Sequence, residues 1–351
     1  MPVVRVLRAA NCGASAVRNA AGRVGKAAAA PHHVPMSSSS YCVIDGGVAT
    51  ELSRHGLDLS DHLWSARVLI EAPDAIERVH TEYFLAGADI AISASYQASY
   101  AGFAKRGLSA EATTAILQRS VQIAQSAKRR VLQARPGMVR ELRVAASVGP
   151  YGAVLHDGSE YRGDYGLNED ALVDFHRERF TVLADAGADL LACETIPSRL
   201  EAAALVRLLG ERPDTRAWVT FSCRDERHTS AGDRIAECAR WLDTIPQVVA
   251  VGVNCVAPEL VESLIHEVGT GTSKPIVVYP NSGETWDAGA RCWVGTADRF
   301  TAYVPSWLAA GASWIGGCCR TTPDDIRIVR ADVDAFAAVV PRAHDTNATL
   351  S

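Results

Sequence analysis

The sequence predicts an α/β fold, a single-domain (β/α)8 TIM barrel. Three observations predict it. From Tyr41 onward, eight short β-type runs alternate with helix-type segments. The runs are apolar along most of their length, as expected for strands buried on both faces of a parallel sheet. A phrase also recurs at the junctions: Ala86-Gly87-Ala88-Asp89, Ala186-Gly187-Ala188-Asp189 and Ala310-Gly311-Ala312-Ser313. Glycine just past a helix stops it, so each copy marks a helix end followed by a strand start. A barrel of this kind needs roughly 250 residues, which the chain supplies. The rival is an open doubly wound sheet. No G-x-G-x-x-G follows the first run, so its dinucleotide-binding version lacks its fingerprint.

In chain order, the predicted strands are 41–45, 89–93, 143–148, 189–194, 217–223, 248–255, 275–280 and 313–318. Helical patterns at 75–85 and 111–133 connect the early strands; those at 169–186, 199–209, 234–242, 258–266 and 299–309 connect the later ones. A last helix starts after Cys319. Thr322 can cap it, Pro323 suits its first turn, and Asp324 and Asp325 sit near its positive end.

The barrel is assigned to residues 41–340, with 341–351 as a C-terminal tail. Residues 1–40 differ from the rest. They carry Arg5, Arg8, Arg18, Arg23 and Lys26, no Asp or Glu, and end in four serines. The composition resembles an organelle transit peptide. The plainer expectation, adopted here, is a disordered extension, or a start placed upstream of a true start at Met36.

Bulk properties exclude several classes. The chain has 351 residues, 48% of them hydrophobic, enough for one large core or two ordinary domains. The net charge of −5 comes with no basic patch, so no nucleic-acid partner is expected. No apolar run approaches the roughly 18 residues of a membrane span, so no membrane partner is expected either. Nine cysteines, an odd number with no secretory signal, read as reduced thiols in the cytoplasm.

The chemistry of a barrel sits at the carboxyl ends of its strands. There the sequence places Asp45-Gly46-Gly47, Ser93 through Gln97, Cys193-Glu194-Thr195, Asn254-Cys255, Tyr279-Pro280-Asn281-Ser282 and Gly316-Gly317-Cys318-Cys319. Neighbouring residues of a strand point to opposite faces, so Cys318 and Cys319 can meet only where the strand ends and the chain turns. Gly316 and Gly317 supply a backbone that tolerates a turn. Cys255 closes a similar run. Three thiolates with one open position would make a catalytic zinc site, so Cys255, Cys318 and Cys319 are the candidate metal ligands and Zn2+ the candidate cofactor.

Asp45, Gly46, Ser93, Gln97, Glu194 and Asn254 are the candidate substrate contacts. Each has a plainer reading: Asp45 as a turn residue, Glu194 as a paired structural carboxylate. Cys42, Cys193, Cys223, Cys238 and Cys292 are read as small buried hydrophobes. The long connection 149–166, with Glu160, Tyr161, Arg162, Asp164 and Tyr165, is a lid or a solvated surface loop. His156 and His176 are read as surface or satisfied helix residues.

Zinc held by three thiolates is a weak Lewis acid for hydrolysis but suits the capture of a fourth thiol. A free thiol has a pKa near 8.5, and coordination deprotonates it. Thiol alkylation therefore fits this ligand set. Asp45 and Glu194 could hold the ammonium of an amino-acid thiol.

These segments resemble the homocysteine S-methyltransferases, particularly those that use S-methylmethionine. The likeness runs through Asp45-Gly46-Gly47-Val48-Ala49-Thr50-Glu51-Leu52, Leu63-Trp64-Ser65-Ala66, Ser95-Tyr96-Gln97-Ala98 and Val148-Gly149-Pro150-Tyr151-Gly152-Ala153. It continues through Asp157-Gly158-Ser159-Glu160-Tyr161-Arg162-Gly163-Asp164-Tyr165, Cys193-Glu194-Thr195, Val253-Asn254-Cys255, Val278-Tyr279-Pro280-Asn281-Ser282-Gly283-Glu284 and Gly316-Gly317-Cys318-Cys319-Arg320-Thr321-Thr322-Pro323. It covers about residues 41–329. Ser93 departs from an expected threonine but keeps the hydroxyl.

The resemblance implies a zinc barrel with Cys255, Cys318 and Cys319 as ligands and homocysteine sulfur as the fourth. Asp45 and Glu194 would bind the amino-acid end, and methionine would be the product. The implied reaction is direct displacement on a sulfonium donor, S-methylmethionine or S-adenosylmethionine, with no catalytic residue beyond the metal-activated thiol. Tyr96, Tyr161 and Tyr165 are candidates for cation–π contact with the donor. The alternatives are another donor or acceptor on the same fold (betaine, selenocysteine) or a non-catalytic zinc-binding barrel.

Overall fold

The computed structural model describes residues 41–59, 64–155, 157–287, 292–294 and 300–340. The expectations for both tails, for His156 and for the Cys292 side chain lie outside the described residues.

Eight strands form one parallel sheet: β1 (Cys42–Val43), β2 (Ile90–Ile92), β3 (Arg143–Val148), β4 (Leu190–Ile196), β5 (Ala217–Phe221), β6 (Val248–Asn254), β7 (Ile276–Tyr279) and, last in the chain, β10 (Ala312–Ile315). Between β7 and β10 lie β8 (Thr285–Asp287) and β9 (Cys292–Val294), an antiparallel pair outside the sheet. The sheet order is β1-β10-β7-β6-β5-β4-β3-β2. It closes on itself through a parallel bridge between Ile44 and Ile90 and the bond from Asp45 N–H to the Ile90 carbonyl, 3.0 Å. The eight predicted strands are the eight barrel strands.

Outward strand residues such as Val144, Ala146, Val219, Phe221, Val251 and Val253 pack into the shell between strands and helices. Inward residues fill the barrel itself. Trp218 on β5, Tyr279 on β7 and Trp314 on β10 come from strands that are not all neighbours, yet their rings meet edge to face, 6.4 Å for Trp218–Tyr279 and 5.9 Å for Trp218–Trp314. All three are buried. The Trp218 indole N–H donates to the Tyr279 hydroxyl at 3.0 Å, which also meets Thr220 Oγ1 at 2.8 Å. This aromatic plug makes the centre a packed core.

The repeated junction phrase has a physical cause. Gly87, Gly187 and Gly311 all have positive φ, the left-handed stop of a helix. The aspartates that follow clamp the amino end of the barrel. Asp89 accepts from Val43 N–H at 2.8 Å and from Arg330 at 2.9 Å; Asp189 accepts from Val144 N–H at 2.7 Å and from Lys128 at 3.1 Å. Both carboxylates are thus partnered.

The helix predicted at 299–309 divides into a 3-10 turn, Phe300–Tyr303, and a helix, Val304–Ala310. Pro305 lies in the first turn of the second piece and has no N–H to continue the first. The last helix, Pro323–Val339, carries the predicted cap: Thr322 and Asp325 bond each other's backbone reciprocally. Short helices at Val48–Arg54, Trp64–Glu71, Tyr100–Ala104 and Tyr151–Leu155 were not predicted. They are too short to show a helical period. The connection 149–166 is therefore partly ordered, as Tyr151–Leu155 and the 3-10 turn Ser159–Tyr161. No helix among the described residues is long and apolar enough to cross a membrane.

Candidate active site

A cavity of about 300 Å³ opens at the carboxyl ends of the strands. Asp45, Gly46, Ser93, Gln97, Glu194, Cys255, Cys318 and Cys319 all line it, with Tyr96, Glu160, Tyr161, Thr195 and Tyr279. The three predicted ligands converge. Their sulfurs lie within 4.8 Å of one another; Cys255 and Cys319 are 3.7 Å apart, and Cys318 and Cys319 are 4.0 Å apart.

The backbone explains the convergence. Cys255 N–H donates to the Tyr279 carbonyl at 3.1 Å, and Cys318 N–H to the Pro280 carbonyl at 2.8 Å, which fixes both strand ends against the end of β7. The glycine pair acts through close approach. A Cβ on Gly317 would lie 2.2 Å from Thr321 Oγ1. The left-handed turn itself falls on Arg320, φ 67°. Cys255 (φ 55°) and Thr195 (φ 59°) share that conformation, and among the described residues these three are its only non-glycine members. Each such residue costs on the order of 1–3 kcal/mol, and all three border this site.

Asn254, predicted as a substrate contact, does not line the cavity. Its carboxamide accepts from Thr195 N–H at 2.7 Å and donates to Thr195 Oγ1 at 2.8 Å. It holds the strained Thr195 in place. Tyr165 also turns away and packs edge-on against Tyr151, ring centroids 5.1 Å apart. Asn281, read in the sequence as part of a strand end but given no role, supports the thiols: its Oδ1 accepts from Cys319 N–H at 3.2 Å and lies 3.4 Å from Cys255 Sγ. His176 is a buried helix residue, bonded through Nε2 to Glu201 at 2.8 Å, but it is only half satisfied, because its Nδ1 has no hydrogen-bond partner.

Electrostatically the cavity is one-sided. Asp45, Glu160 and Glu194 line it, and among the described residues no Lys, Arg or His does. Burial pushes the Asp45 carboxyl well above its usual range, against the Ile92 N–H that donates to it at 2.9 Å. Burial pushes Glu194 up to about 7, partly offset by the Ser147 and Tyr279 hydroxyls. Burial also pushes Glu160 up to about 7. Desolvated carboxylates without a protein cation favour a cationic ligand. Hydrogen bonds from Cys255 and then Cys318 hold Cys319 well below the usual thiol range.

The donor set fits zinc. Three ligands on a tetrahedral ion at a Zn–S distance of about 2.3 Å stand about 3.8 Å apart, close to the separations found here. Soft thiolates favour that ion over magnesium or calcium.

Residues 42–333 match the homocysteine S-methyltransferase family. The chain belongs to the homocysteine S-methyltransferase family. Homocysteine S-methyltransferase YbgG of Bacillus subtilis is 50% identical over 293 residues, 82% of this chain and 93% of that protein. The metallated form of the homocysteine methyltransferase MmuM from Escherichia coli superposes with a TM-score of 0.77 at 47% identity, covering 83% of this chain and 96% of that one. The selenocysteine Se-methyltransferase of Brassica oleracea var. italica is 46% identical over 83% of this chain and 88% of its own length. The match to the homocysteine S-methyltransferase family spans all eight barrel strands and every lining residue.

Proposed function

We propose that the protein transfers a methyl group from a sulfonium donor, S-methylmethionine or S-adenosylmethionine, to the thiol of L-homocysteine, giving methionine. Its family membership makes it a methyltransferase acting on homocysteine. One observation carries the finer reading: three sulfurs open onto a cavity whose charged lining, among the described residues, consists of carboxylates.

Cys255, Cys318 and Cys319 would hold Zn2+, which when bound supplies an acidified, thiolate-favouring position for the substrate sulfur. Asp45 and Glu194 would receive the ammonium of homocysteine, an ion pair that offsets their burial. The buried Gln97 Oε1 has no protein partner and is free to accept from the same ligand. Gly46 is required by packing beneath the cavity: a Cβ there would lie 2.8 Å from Thr321 Oγ1 and 2.9 Å from Tyr83. The faces of Tyr96 and Tyr161 suit the donor's cationic sulfur. The substrate thiolate attacks the methyl carbon, the S–C bond of the donor breaks, and the sulfonium leaves as a neutral thioether. That leaving group needs no proton, and the main contribution of the site is alignment. The seven cysteines whose side chains are described are all free thiols, which supports a reducing, cytoplasmic setting.

The test is zinc analysis of the purified protein with a methionine-formation assay. About one zinc per chain and homocysteine-dependent methionine from S-methylmethionine or S-adenosylmethionine are expected. A metal-loaded protein that methylates homocysteine with neither donor would overturn the proposal.

A further inference from the structure

The cavity contains one carboxylate that homocysteine does not account for. Asp45 and Glu194 stand on strand ends and are engaged by the barrel: Asp45 accepts from Ile92 N–H, and Glu194 from the Ser147 hydroxyl. Glu160 comes from the β3 connection instead. Its Oε2 is buried and has no hydrogen-bond partner. Leaving such an oxygen unpaired costs stability, so its position calls for a ligand.

The segment that carries Glu160 is built to hold it there. The Ser222 hydroxyl, just past β5, donates to the Glu160 carbonyl at 3.0 Å. A Cβ on Gly152 would lie 2.4 Å from Glu160 N, so the short helix beneath can approach only because that residue is glycine. The next residue, Tyr161, reaches Cys255 Sγ with its hydroxyl at 3.2 Å. Glu160 is therefore anchored beside the sulfurs, where the methyl group must pass.

Charge counting assigns the partner. Homocysteine brings one cation, its ammonium, and the two strand-end carboxylates serve it. The methyl donor brings two, the ammonium at the far end of its amino-acid chain and a positive sulfur that must lie in line with the acceptor sulfur; Glu160, held beside the sulfur cluster, is placed for the second. We infer that Glu160 recognises that sulfonium and selects it over the neutral thioether of the same shape. This rests on the methyl transfer proposed above. The attraction is full in the ground state and weakens as the positive charge is spent during transfer. Glu160 therefore governs donor binding and release of the neutral product, while the methyl-transfer step gains little from it.

The test uses the zinc-loaded full chain with Glu160→Gln and Glu160→Asp. For Glu160→Gln the donor KM should rise about tenfold, with kcat within about twofold and with homocysteine KM and zinc content unchanged. The preference for S-adenosylmethionine over S-adenosylhomocysteine, measured as a ratio of dissociation constants, should fall towards one. Glu160→Asp, which keeps the charge, should retain most of that preference. If the Gln variant does not fold, Glu160→Met under the same measurements decides. A folded variant that keeps both the donor KM and the ratio overturns the inference, as does a loss confined to homocysteine KM or to zinc. A wild-type protein that methylates homocysteine with neither donor would overturn the underlying reaction instead, so the two failures are distinguishable.

Discussion

The hydroxyl of Tyr161 stands 3.2 Å from the sulfur of Cys255. The contact joins the β3 connection to the end of β6, so the segment covering the cavity is tied to the sulfur cluster beneath it. Tyr161 as a whole remains 41% exposed, and the bond is its inward tether. Tyr161→Phe should keep the zinc and raise the donor KM several-fold; metal analysis and steady-state kinetics check both.

Replacing Cys255, Cys318 or Cys319 by Ala should remove most of the zinc and nearly all activity, because two thiolates leave a soft site incomplete. Atomic absorption on each variant reads the first effect. Full zinc in the triple variant would refute the ligand assignment.

Asn281→Ala should weaken zinc affinity by roughly 10–100-fold, the usual range for a group that orients a ligand. The acceptor it removes is bonded to Cys319 N–H and adjacent to Cys255 Sγ. Competition with a chelating dye measures the change.

Glu194 must be ionised to pair with an ammonium, and burial sets its carboxyl at about 7, against an ordinary 4.5. Homocysteine affinity should rise with pH up to about 7 and level off above it. Below that point each unit of pH should lower it about tenfold. The stability effect has the opposite sign. The folded state keeps a proton that the unfolded chain releases between 4.5 and 7, so this contribution to stability falls as pH rises through that window. Glu194→Gln should flatten both profiles and raise the homocysteine KM about tenfold, which calorimetry across pH will show.

Tyr279→Phe should destabilise the barrel by about 1–3 kcal/mol, because the buried Trp218 indole loses its acceptor. Denaturant unfolding of the variant gives the value.

The eight strands were legible because each is a short apolar run bounded by a glycine or a polar strand end. The three sulfurs were legible for a related reason: a strand end fixes where a side chain emerges. Gly317 shows where such reading falls short. Its need for no Cβ comes from Thr321 folding back onto it, a contact that local sequence does not display. Asn254 misled because a polar residue at a strand end looks the same whether it faces the ligand or buttresses a neighbour. Glu160 lay within a connection whose short helix and 3-10 turn have no periodicity to read, so its direction into the cavity depended on tertiary packing around Gly152 and Ser222.

A ring is as stiff as its weakest joint, and here that joint lies between β1 and β2, where a lone bridge at Ile44 and Ile90 closes the circle. The Asp45 side chain reinforces it by accepting from Ile92 N–H. The group proposed to meet the incoming amino acid is thus also the rivet of the barrel. A ligand held by Asp45 should tighten that joint, and the deuterium uptake of a single amide, that of Ile92, should then fall with occupancy.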